Sequence, residues 1–240
     1  MSLQLSTAIT GGIKRGLTRT GGILFAVFLA FQLLNITLTN TVTKSMVPPG
    51  AAPGSVGLSL PLPATLAGGL LVGVYVFLTA FFVVIPRAFA RPMAELSTFP
   101  SELYTRRMGW AVLSMVVASI IVFVSVSLGF VLLIIPGIFL ALSFMFFIFA
   151  ISVEDRGIIE SLQRSWGLAR GNRLKLLGIL GLIVVVSVLT SVPSTLFQLA
   201  GISVLGDIFA VGIGSLTGVF YNGILADAYL QLAGPADTAL

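Results

Sequence analysis

Residues 110–153 read WAVLSMVVASIIVFVSVSLGFVLLIIPGIFLALSFMFFIFAISV, which is 44 residues without a charged side chain. As a single α-helix this run would be about 66 Å long, whereas the hydrocarbon core of a bilayer is about 30 Å thick. The chain must therefore turn inside the run, and Pro136-Gly137 is its strongest turn signal. We predict a helical hairpin with a tight turn at Pro136-Gly137. The alternative is one kinked span followed by a re-entrant piece.

The rest of the chain shares this apolar character. Of its 240 residues, 57% are hydrophobic and only 9% are charged, whereas soluble domains carry about 25% charged residues. The polar side chains are too few to cover a soluble domain, so we predict an all-α, polytopic integral membrane protein. The chain has neither cysteine nor histidine, which excludes disulfides, thiolate chemistry and the usual general base.

Apolar runs long enough to cross a bilayer occur six times along the chain. The predicted spans cover about residues 22–39, 64–85, 110–134, 138–153, 174–189 and 204–230. They form one six-span helical bundle over residues 22–234, between an N-terminal segment of residues 1–21 and a tail of residues 235–240. The first run lacks the cleavage pattern of a signal peptide, so we expect it to be retained.

The basic residues predict how these spans are oriented. Twelve of the 13 lie in three short stretches that border the spans: Lys14, Arg15 and Arg19; Arg87, Arg91, Arg106 and Arg107; Arg156, Arg164, Arg170, Arg173 and Lys175. Only Lys44 lies elsewhere, within the proline-rich segment 40–63. Because positive charge beside membrane spans stays on the cytoplasmic side, both termini are predicted to be cytoplasmic, in a cell membrane. Segments 40–63 and 191–203 are predicted to form outer loops.

The segment before the first span has the spacing of an amphipathic helix. Its apolar residues share one face and its polar residues the other: Leu5, Ala8, Ile9, Ile13 and Leu17 against Thr10, Lys14 and Arg15. This pattern predicts a helix lying on the cytoplasmic leaflet, with a break at Gly21-Gly22 before the first span. The alternative is a plain extension of that span.

A second amphipathic helix is predicted over residues 155–170, in the plane of the membrane. Its apolar face would hold Ile158, Ile159, Leu162, Trp166 and Ala169. Asp155 is expected to cap the start of this helix, and Gly171-Asn172 to end it. Glu160 and Arg164 are expected to pair across one helical turn. The candidate residues for contact with lipid headgroups are Arg156, Arg164, Trp166, Arg170, Arg173 and Lys175.

Two runs of sequence carry a resemblance to known families. Residues 152–175 read SVEDRGIIESLQRSWGLARGNRLK, and residues 132–138 read LLIIPGI. Together they resemble the signature of the membrane domain of glycerophosphoryl diester phosphodiesterases, which also marks related uncharacterised membrane families of bacteria and archaea. The resemblance implies a six-span helical membrane domain with an in-plane cytoplasmic helix, and it assigns no activity. Its characteristic positions would be Pro136, Gly137, Glu154, Arg164, Ser165, Trp166, Arg170 and Gly171.

The chain departs from those families in two respects. Their last span often ends with a Tyr-x-Asp-x-Arg-like pattern, whereas Ala226-Asp227-Ala228-Tyr229 has no arginine after it. The catalytic barrel of the phosphodiesterases needs about 250 residues, which is more than this chain holds. The resemblance therefore implies no hydrolase activity.

A few polar residues fall inside the predicted spans, where polar and ionisable groups are costly. The candidates are Gln32, Asn35, Asn222 and Asp227. Asp227 is expected to pair with Arg170 or Arg173 at the cytoplasmic interface, with a proton or ion relay as the alternative. The amides are expected to form interhelical hydrogen bonds or to line a path. Asp207 is expected at the exposed outer start of the last span, where the helix dipole favours it.

The residues point away from catalysis. No phosphate-binding loop or catalytic triad is present. Glu154, Asp155 and Glu160 supply three carboxylates, but Asp155 and Glu160 are five residues apart and diverge around the helix, which disfavours a metal site. The sequence therefore predicts a non-enzymatic protein without cofactor or metal. We expect a scaffold or accessory role in which basic helices bind anionic lipid or a protein partner, including a second copy, and no nucleic acid. The alternative is a small transporter or channel for a lipid or apolar solute.

Overall fold

The computed structural model describes residues 3–46 and 57–234. Within these ranges the chain forms α-helices and one short 3-10 helix, and no β-strand. The α-helices are Leu5–Gly16 (α1), Arg19–Met46 (α2), Ala64–Phe89 (α3), Glu102–Thr105 (α4), Met108–Leu132 (α5), Ile134–Ser143 (α6), Phe147–Ser152 (α7), Ile158–Ala169 (α8), Arg173–Leu199 (α9) and Ser203–Ala233 (α10); the 3-10 helix is Met93–Ser97. The predicted all-α fold is confirmed.

Six helical segments of the described chain are long and apolar enough to cross a membrane: α2, α3, α5, α6 with α7, α9 and α10. The chain is therefore a multi-pass membrane protein with the predicted number of spans. Several helices are longer than predicted. Helix α9 continues through Pro193 to Leu199, since freed backbone groups in membrane helices are satisfied by neighbouring groups. The outer loop predicted at 191–203 is thereby reduced to residues 200–202.

The loop predicted at residues 40–63 also begins later than expected. Helix α2 continues to Met46, and the chain from Gly57 to Pro63 is irregular up to the start of α3. Residues 47–56 of this loop and the predicted tail of residues 235–240 lie outside the described residues.

The hairpin in residues 110–153 is present, but its turn is not at Pro136-Gly137. The turn is Leu133, which adopts an extended conformation between α5 and α6 (φ −163°, ψ 152°). Pro136 lies in the first turn of α6. The N–H groups of a first turn have no acceptor within the helix, so proline, which lacks an N–H, costs no hydrogen bond there. A Cβ on Gly129 would lie 2.9 Å from the Cα of Gly137. Gly137 therefore permits the close approach of the two hairpin helices and does not form the turn itself.

The break between α1 and α2 lies earlier than predicted. It falls at Leu17-Thr18, while Gly21 and Gly22 are helical. Thr18 caps α2, because its Oγ1 accepts a hydrogen bond from the N–H of Gly21 at 3.1 Å. A side chain on Gly21 would collide with the carbonyl oxygen of Gly16. The glycine pair therefore permits a tight turn between the helices and does not itself break the helix.

The helices form two compact units. The first comprises Met1–Gly22, Thr79–Leu182 and Phe220–Leu240, and the second comprises Ile23–Leu78 and Ile183–Val219. All twelve clustered basic residues fall in the first unit, which we call the basic unit, and Lys44 falls in the second unit. The clustered basic residues of the sequence therefore all belong to the same compact unit of the fold.

The core of the basic unit joins three spans to the helix after them. Its buried members include Val83 of α3, Met115 of α5, Ile151 of α7 and Leu162 of α8. Residues 153–157 separate α8 from α7, so α8 is a distinct helix and no continuation of the fourth span. Because burying a leucine stabilises by about 1.5–3 kcal/mol, the contact of Leu162 holds α8 against this core.

The second unit contains one acidic residue in a buried position. Its core is formed by Leu38, Ala67 and Val74. Asp207, near the start of α10, is only 7% exposed, so the expectation that it is exposed is wrong. Its Oδ2 accepts hydrogen bonds from Asn40 Nδ2 at 2.7 Å and from the Leu58 N–H at 2.9 Å. The carboxylate can be buried because it accepts hydrogen bonds from the Asn40 side-chain amide and from the Leu58 N–H, and polar groups that are buried need such partners.

Candidate functional site

Helix α1 packs against α10, and the packed face includes a residue, Arg15, that the sequence predicts to face solvent. Gly12 and Arg15 are buried, whereas Ile13 is 41% and Leu17 is 74% exposed. A side chain on Gly12 would collide with the backbone of Ile224. Ala8 is buried and Thr10 and Lys14 are exposed, as predicted. The predicted positions of Arg15 on the outside and of Ile13 and Leu17 on the buried face are wrong, because small residues permit the closest helix contact.

Arg15, at the end of α1, makes the central polar contact of the basic unit. Its Nη1 donates hydrogen bonds to the carbonyl oxygens of Phe89 at 2.6 Å and Arg91 at 2.8 Å. Phe89 is the last residue of α3 and Arg91 lies just beyond it, where a helix leaves its carbonyl acceptors unpaired. The Nε atom lies 3.5 Å from Oδ1 of Asp227. Burial lowers the pKa of Arg15 and Asp227 opposes this shift, and the guanidinium stays charged at neutral pH.

The partner predicted for Asp227 is therefore wrong. Its ion pair is with Arg15, and its Oδ2 accepts a hydrogen bond from Gln231 Nε2 at 3.0 Å. No ion pair joins Asp227 to Arg170 or Arg173 in the part of the chain that the structure describes. The cause is the docking of α1, because Gly11 lies directly against the Asp227 carboxylate and brings the Arg15 side chain to it.

The start of α1 is held by α9 and α10. The Leu3 N–H donates to Asn172 Oδ1 at 3.0 Å, and the Leu3 carbonyl accepts from Lys175 Nζ at 2.6 Å. The Gln4 N–H donates to Gln231 Oε1 at 2.8 Å. Both ends of α1 are thus fixed to other helices of the basic unit. We call residues 3–16 the N-terminal strap.

Glu154, which follows α7, is the centre of a second polar cluster. Its carboxylate accepts hydrogen bonds from Arg164 Nε at 2.9 and 3.2 Å and from the Tyr229 hydroxyl at 2.6 Å. It also forms an ion pair with Arg156. The ring of Tyr229 is fully buried and stacks on Phe149, with 5.0 Å between the centroids. One carboxylate therefore joins α8 and α10 to the end of α7.

This cluster corrects the prediction for the polar side of α8. The structure pairs Arg164 with Glu154, where the sequence predicts Glu160, because a desolvated carboxylate attracts a guanidinium more strongly than an exposed one. The buried face of α8 also differs from the predicted one, since Ile159 is exposed. The buried residues are Ser161, Leu162, Ser165, Leu168 and Ala169.

Asp155 has a different role from the predicted helix cap. The N-cap of α8 is Gly157, and no side chain caps the helix. The Asp155 carboxylate instead forms ion pairs with Arg106 and with Arg87, whose Nη2 lies 3.5 Å from Oδ1. Arg87 also donates from Nε to the Ser152 carbonyl at 2.7 Å. The left-handed backbone of Asp155 (φ 51°) lies in the turn between α7 and α8 that permits these pairs.

Ser165 bridges the break between α6 and α7. Its Oγ accepts a hydrogen bond from the Phe146 N–H at 3.0 Å and donates one to the Ser143 carbonyl at 2.9 Å. It thereby satisfies one donor and one acceptor that the interrupted helix leaves free. The serine of the signature is a structural link between the fourth span and α8.

Replacing Ser165 by alanine is expected to lower the free energy of unfolding by about 1–3 kcal/mol, because two buried backbone groups lose their partner. Ser161 provides a matched control, since it is a buried serine of the same helix whose hydroxyl bonds, among the described residues, only the Ile158 carbonyl. Ser161→Ala is expected to cost less than about 0.5 kcal/mol. Unfolding in mixed micelles, followed by circular dichroism, measures both values. Equal costs for the two variants would count against the bridging role.

The remaining signature residues lie around the same break. Trp166 packs against Phe139 with 5.4 Å between ring centroids and against Phe144 with 5.8 Å. Gly171 takes a left-handed conformation (φ 83°) directly after α8, which is how helices commonly end. Arg170 is exposed. The signature thus fixes the geometry of α6, α7 and α8.

The polar residues predicted for the spans fall in both units. Gln32 and Asn35 are half-buried residues of α2 in the second unit, and Asn222 is a half-buried residue of α10 in the basic unit. Asp227 is engaged by Arg15, as described above. Among the described residues, no group of three or more acidic, histidine or cysteine side chains is placed to hold a metal ion.

The contacts divide the basic residues into engaged and free ones. Those that form ion pairs are Arg15, Arg87, Arg91, Arg106, Arg156 and Arg164. Within the basic unit, those that are exposed and form no ion pair with a described residue are Lys14, Arg19, Arg107 and Arg170. Of the residues predicted to contact lipid, Arg156 and Arg164 are therefore held by Glu154, and Lys175 by the Leu3 carbonyl.

Sequence reasoning missed the buried polar residues Arg15, Arg87, Arg91 and Tyr229. A signal existed for Arg15, because Gly12 and Gly16 lie at helical spacing, which is typical of a close helix contact. No comparable signal marks Arg87 or Tyr229, since their partners are remote in the sequence.

The fold and the site define a multi-pass membrane protein with two internal polar clusters, one around Arg15 and Asp227 and one around Glu154. Residues 3–232 match the family described as a domain of unknown function, DUF7847. The chain belongs to this family, and the match includes described parts of both units. The chain matches no curated protein and no solved structure.

Proposed function

We propose that this protein is a non-enzymatic scaffold or accessory protein of the cell membrane, with both termini in the cytoplasm. The basic unit faces the cytoplasm and binds anionic lipid headgroups. The observation that carries this proposal is the partition of charge, with twelve of the 13 basic residues in the basic unit and Lys44 alone in the other. Positive charge beside membrane spans is retained on the cytoplasmic side.

The exposed basic residues support the contact with lipid. Lys14, Arg19, Arg107 and Arg170 have no ion-pair partner among the described residues. A basic residue near the surface of an anionic leaflet contributes about 1 kcal/mol of attraction. An acidic protein partner or a second copy of the chain would use the same surface, and lipid is the partner that every membrane supplies.

The resemblance to the membrane domain of glycerophosphoryl diester phosphodiesterases supports a structural role for the shared signature. Glu154, Arg164 and Ser165 join α6, α7, α8 and α10 within the basic unit. In this proposal the signature specifies a way of packing helices, and the chain is one of the related six-span proteins of bacteria and archaea.

The absence of catalysis is part of the proposal. The carboxylates of the basic unit that would serve as acid or base are Glu154, Asp155 and Asp227. Each is held by at least one arginine, so its lone pairs are directed at a guanidinium and away from any substrate. General acid–base catalysis requires the group to reach the proton that it transfers.

The lipid preference is testable on the intact protein in detergent micelles that contain a fixed mixture of zwitterionic and anionic lipid. Replacing Lys14, Arg19 and Arg107 together by glutamine is expected to lower the ratio of anionic to zwitterionic lipid that co-purifies. The reason is the loss of about 1 kcal/mol of attraction for each basic residue. Mass spectrometry of the extracted lipid measures the ratio.

The matched control is Lys44→Gln, which removes the one exposed basic residue of the second unit. It is expected to leave the lipid ratio unchanged, and added salt is expected to weaken the preference of the unmodified protein. An unchanged ratio in the triple variant at low salt would contradict the proposed function.

One observation favours a second candidate function, a small transporter or channel for a lipid or apolar solute. The fourth span is interrupted between Ser143 and Phe147, and discontinuous spans recur at the binding sites of transporters. If the protein is such a transporter, a fluorescent phospholipid is expected to move between the leaflets of vesicles faster when the protein is reconstituted in them. The scaffold proposal expects the same rate with and without the protein.

A further inference from the structure

Arg173, the first residue of α9, has an unusual environment for a charged side chain. Its guanidinium carbon lies 4.2 Å from the ring centroid of Phe139 and 5.1 Å from that of Trp166. Its Nε donates a hydrogen bond to Ser143 Oγ at 3.2 Å. Cation–π contacts with two rings together with one hydrogen bond hold the guanidinium in place.

This guanidinium differs from the other arginines of the basic unit that are at least partly buried. Arg15, Arg87, Arg91, Arg156 and Arg164 each form an ion pair with a carboxylate. Arg173 forms no ion pair with any described residue, and its Nη2 is buried without a hydrogen-bond partner. A buried charged donor without a partner is costly. The geometry therefore orients a charge for an acceptor that the described chain does not supply.

The surroundings of Arg173 indicate the chemistry of that acceptor. Segment 170–175 carries Arg170, Arg173 and Lys175 and no acidic residue. Arg173 also begins a helix whose dipole places partial positive charge at this end. An anion with several oxygen atoms, such as a phosphate, matches a planar guanidinium beside further positive charge.

The rim of this position is apolar. Leu174 is 85% exposed, and the rings of Phe139 and Trp166 are partly exposed. Tryptophan is enriched where a membrane span meets the headgroups. A phosphate that carries acyl chains fits a charged centre with an apolar rim, whereas a free phosphate gains nothing from that rim.

We propose that Arg173, Arg170 and Trp166 form a discrete site for the phosphodiester of one anionic membrane lipid. Displacement of the Trp166 ring, which packs over the guanidinium, opens Nη2 to a phosphate oxygen, while Arg170 contributes a second charge and Leu174 contacts an acyl chain. This inference rests on the proposed function and adds to it a single bound lipid distinct from the general attraction of Lys14, Arg19 and Arg107.

The test is native mass spectrometry of the full chain released from detergent, titrated with an anionic phospholipid and, separately, with a zwitterionic one of the same acyl chains. The unmodified protein is expected to retain one anionic lipid more tightly than later ones. Arg173→Gln is expected to weaken that first binding step about tenfold or more, since a charge-assisted hydrogen bond is lost. Arg170→Gln, an exposed site that leaves the fold intact, is expected to weaken it about fivefold.

The outcomes separate this site from the proposed function. A first binding step that is unchanged in both variants, while the anionic preference persists, would overturn the site and leave the function standing. If the unmodified protein bound the anionic and the zwitterionic lipid equally well, both the site and the proposed function would be overturned. If Arg173→Gln does not fold, the affinity of Arg170→Gln decides. Displacement of the bound lipid by inorganic phosphate at millimolar concentration would overturn the assignment to a lipid.

Discussion

Replacing Arg15 by methionine is expected to lower the free energy of unfolding by about 3–5 kcal/mol, because it removes one partner of a buried ion pair. The Phe89 and Arg91 carbonyls lose their donor, and the Asp227 carboxylate, with its side chain only 16% exposed, loses its counter-charge. Reversible unfolding in mixed micelles, followed by circular dichroism, provides the measurement.

The neighbouring residue Lys14 supplies the control for this change. It lies on the same helix, is exposed and has no ion pair with a described residue. Lys14→Met is expected to change the free energy of unfolding by less than about 0.5 kcal/mol. If α1 lay on the lipid surface with both basic residues in water, the two variants would behave alike, and the buried position of Arg15 would be wrong.

The second large effect is expected for Glu154→Ala. This change leaves Arg164, Arg156 and the Tyr229 hydroxyl without their common acceptor. The expected loss in the free energy of unfolding is about 3–5 kcal/mol, since Arg164 and the buried Tyr229 each lose a hydrogen bond to a charged acceptor, and such a bond contributes about 1.5–3 kcal/mol. Glu102→Ala is the matched control, because Glu102 is exposed and forms no ion pair with a described residue.

A catalytic role for Glu154 would predict a different outcome. A residue kept for chemistry is often costly to stability, so its replacement would leave stability unchanged or raise it. A cost for Glu154→Ala no larger than that for Glu102→Ala would contradict the structural role argued for the signature.

The number of spans and the hairpin in residues 110–153 could be predicted from the sequence, because both follow from length and polarity. A long apolar run cannot fit a bilayer as one helix, and no tertiary contact is needed to see this. The exact turn could not be predicted, since Pro136 is compatible with the first turn of a helix as well as with a loop. The close approach of Gly129 to Gly137 is visible only in three dimensions.

The faces of α1 show the limit of periodicity. Periodicity assigns apolar residues to one face of the helix and polar residues to the solvent-facing one, so it predicts that Arg15 faces water. In the structure Arg15 is buried. What decides the orientation is the small volume of Gly12, which lets α10 approach, together with the carbonyls at the end of α3 to which Arg15 donates. Neither cause is a property of α1 alone.

The same reason explains the incorrect charge pairs. The sequence pairs Arg164 with Glu160, because helical spacing reveals local pairs, and it pairs Asp227 with Arg170 or Arg173 only because all three are expected at the same interface. Arg164 instead pairs with Glu154, and Asp227 pairs with Arg15 from the opposite end of the chain. The candidate residues were partly identified, since Glu154, Arg164, Ser165 and Trp166 do lie together, but their roles depend on elements far away in the sequence.

The coupling between Arg15 and Asp227 tests the docking of the N-terminal strap most directly. A double-mutant cycle with Arg15→Met and Asp227→Asn, read as free energies of unfolding, isolates the interaction between the two side chains. If the pair is buried, the sum of the free-energy losses of the two single variants is expected to exceed the loss of the double variant by about 1–3 kcal/mol. Costs that add to within about 0.5 kcal/mol would contradict the docked strap, because a helix lying on the lipid surface would hold Arg15 away from Asp227.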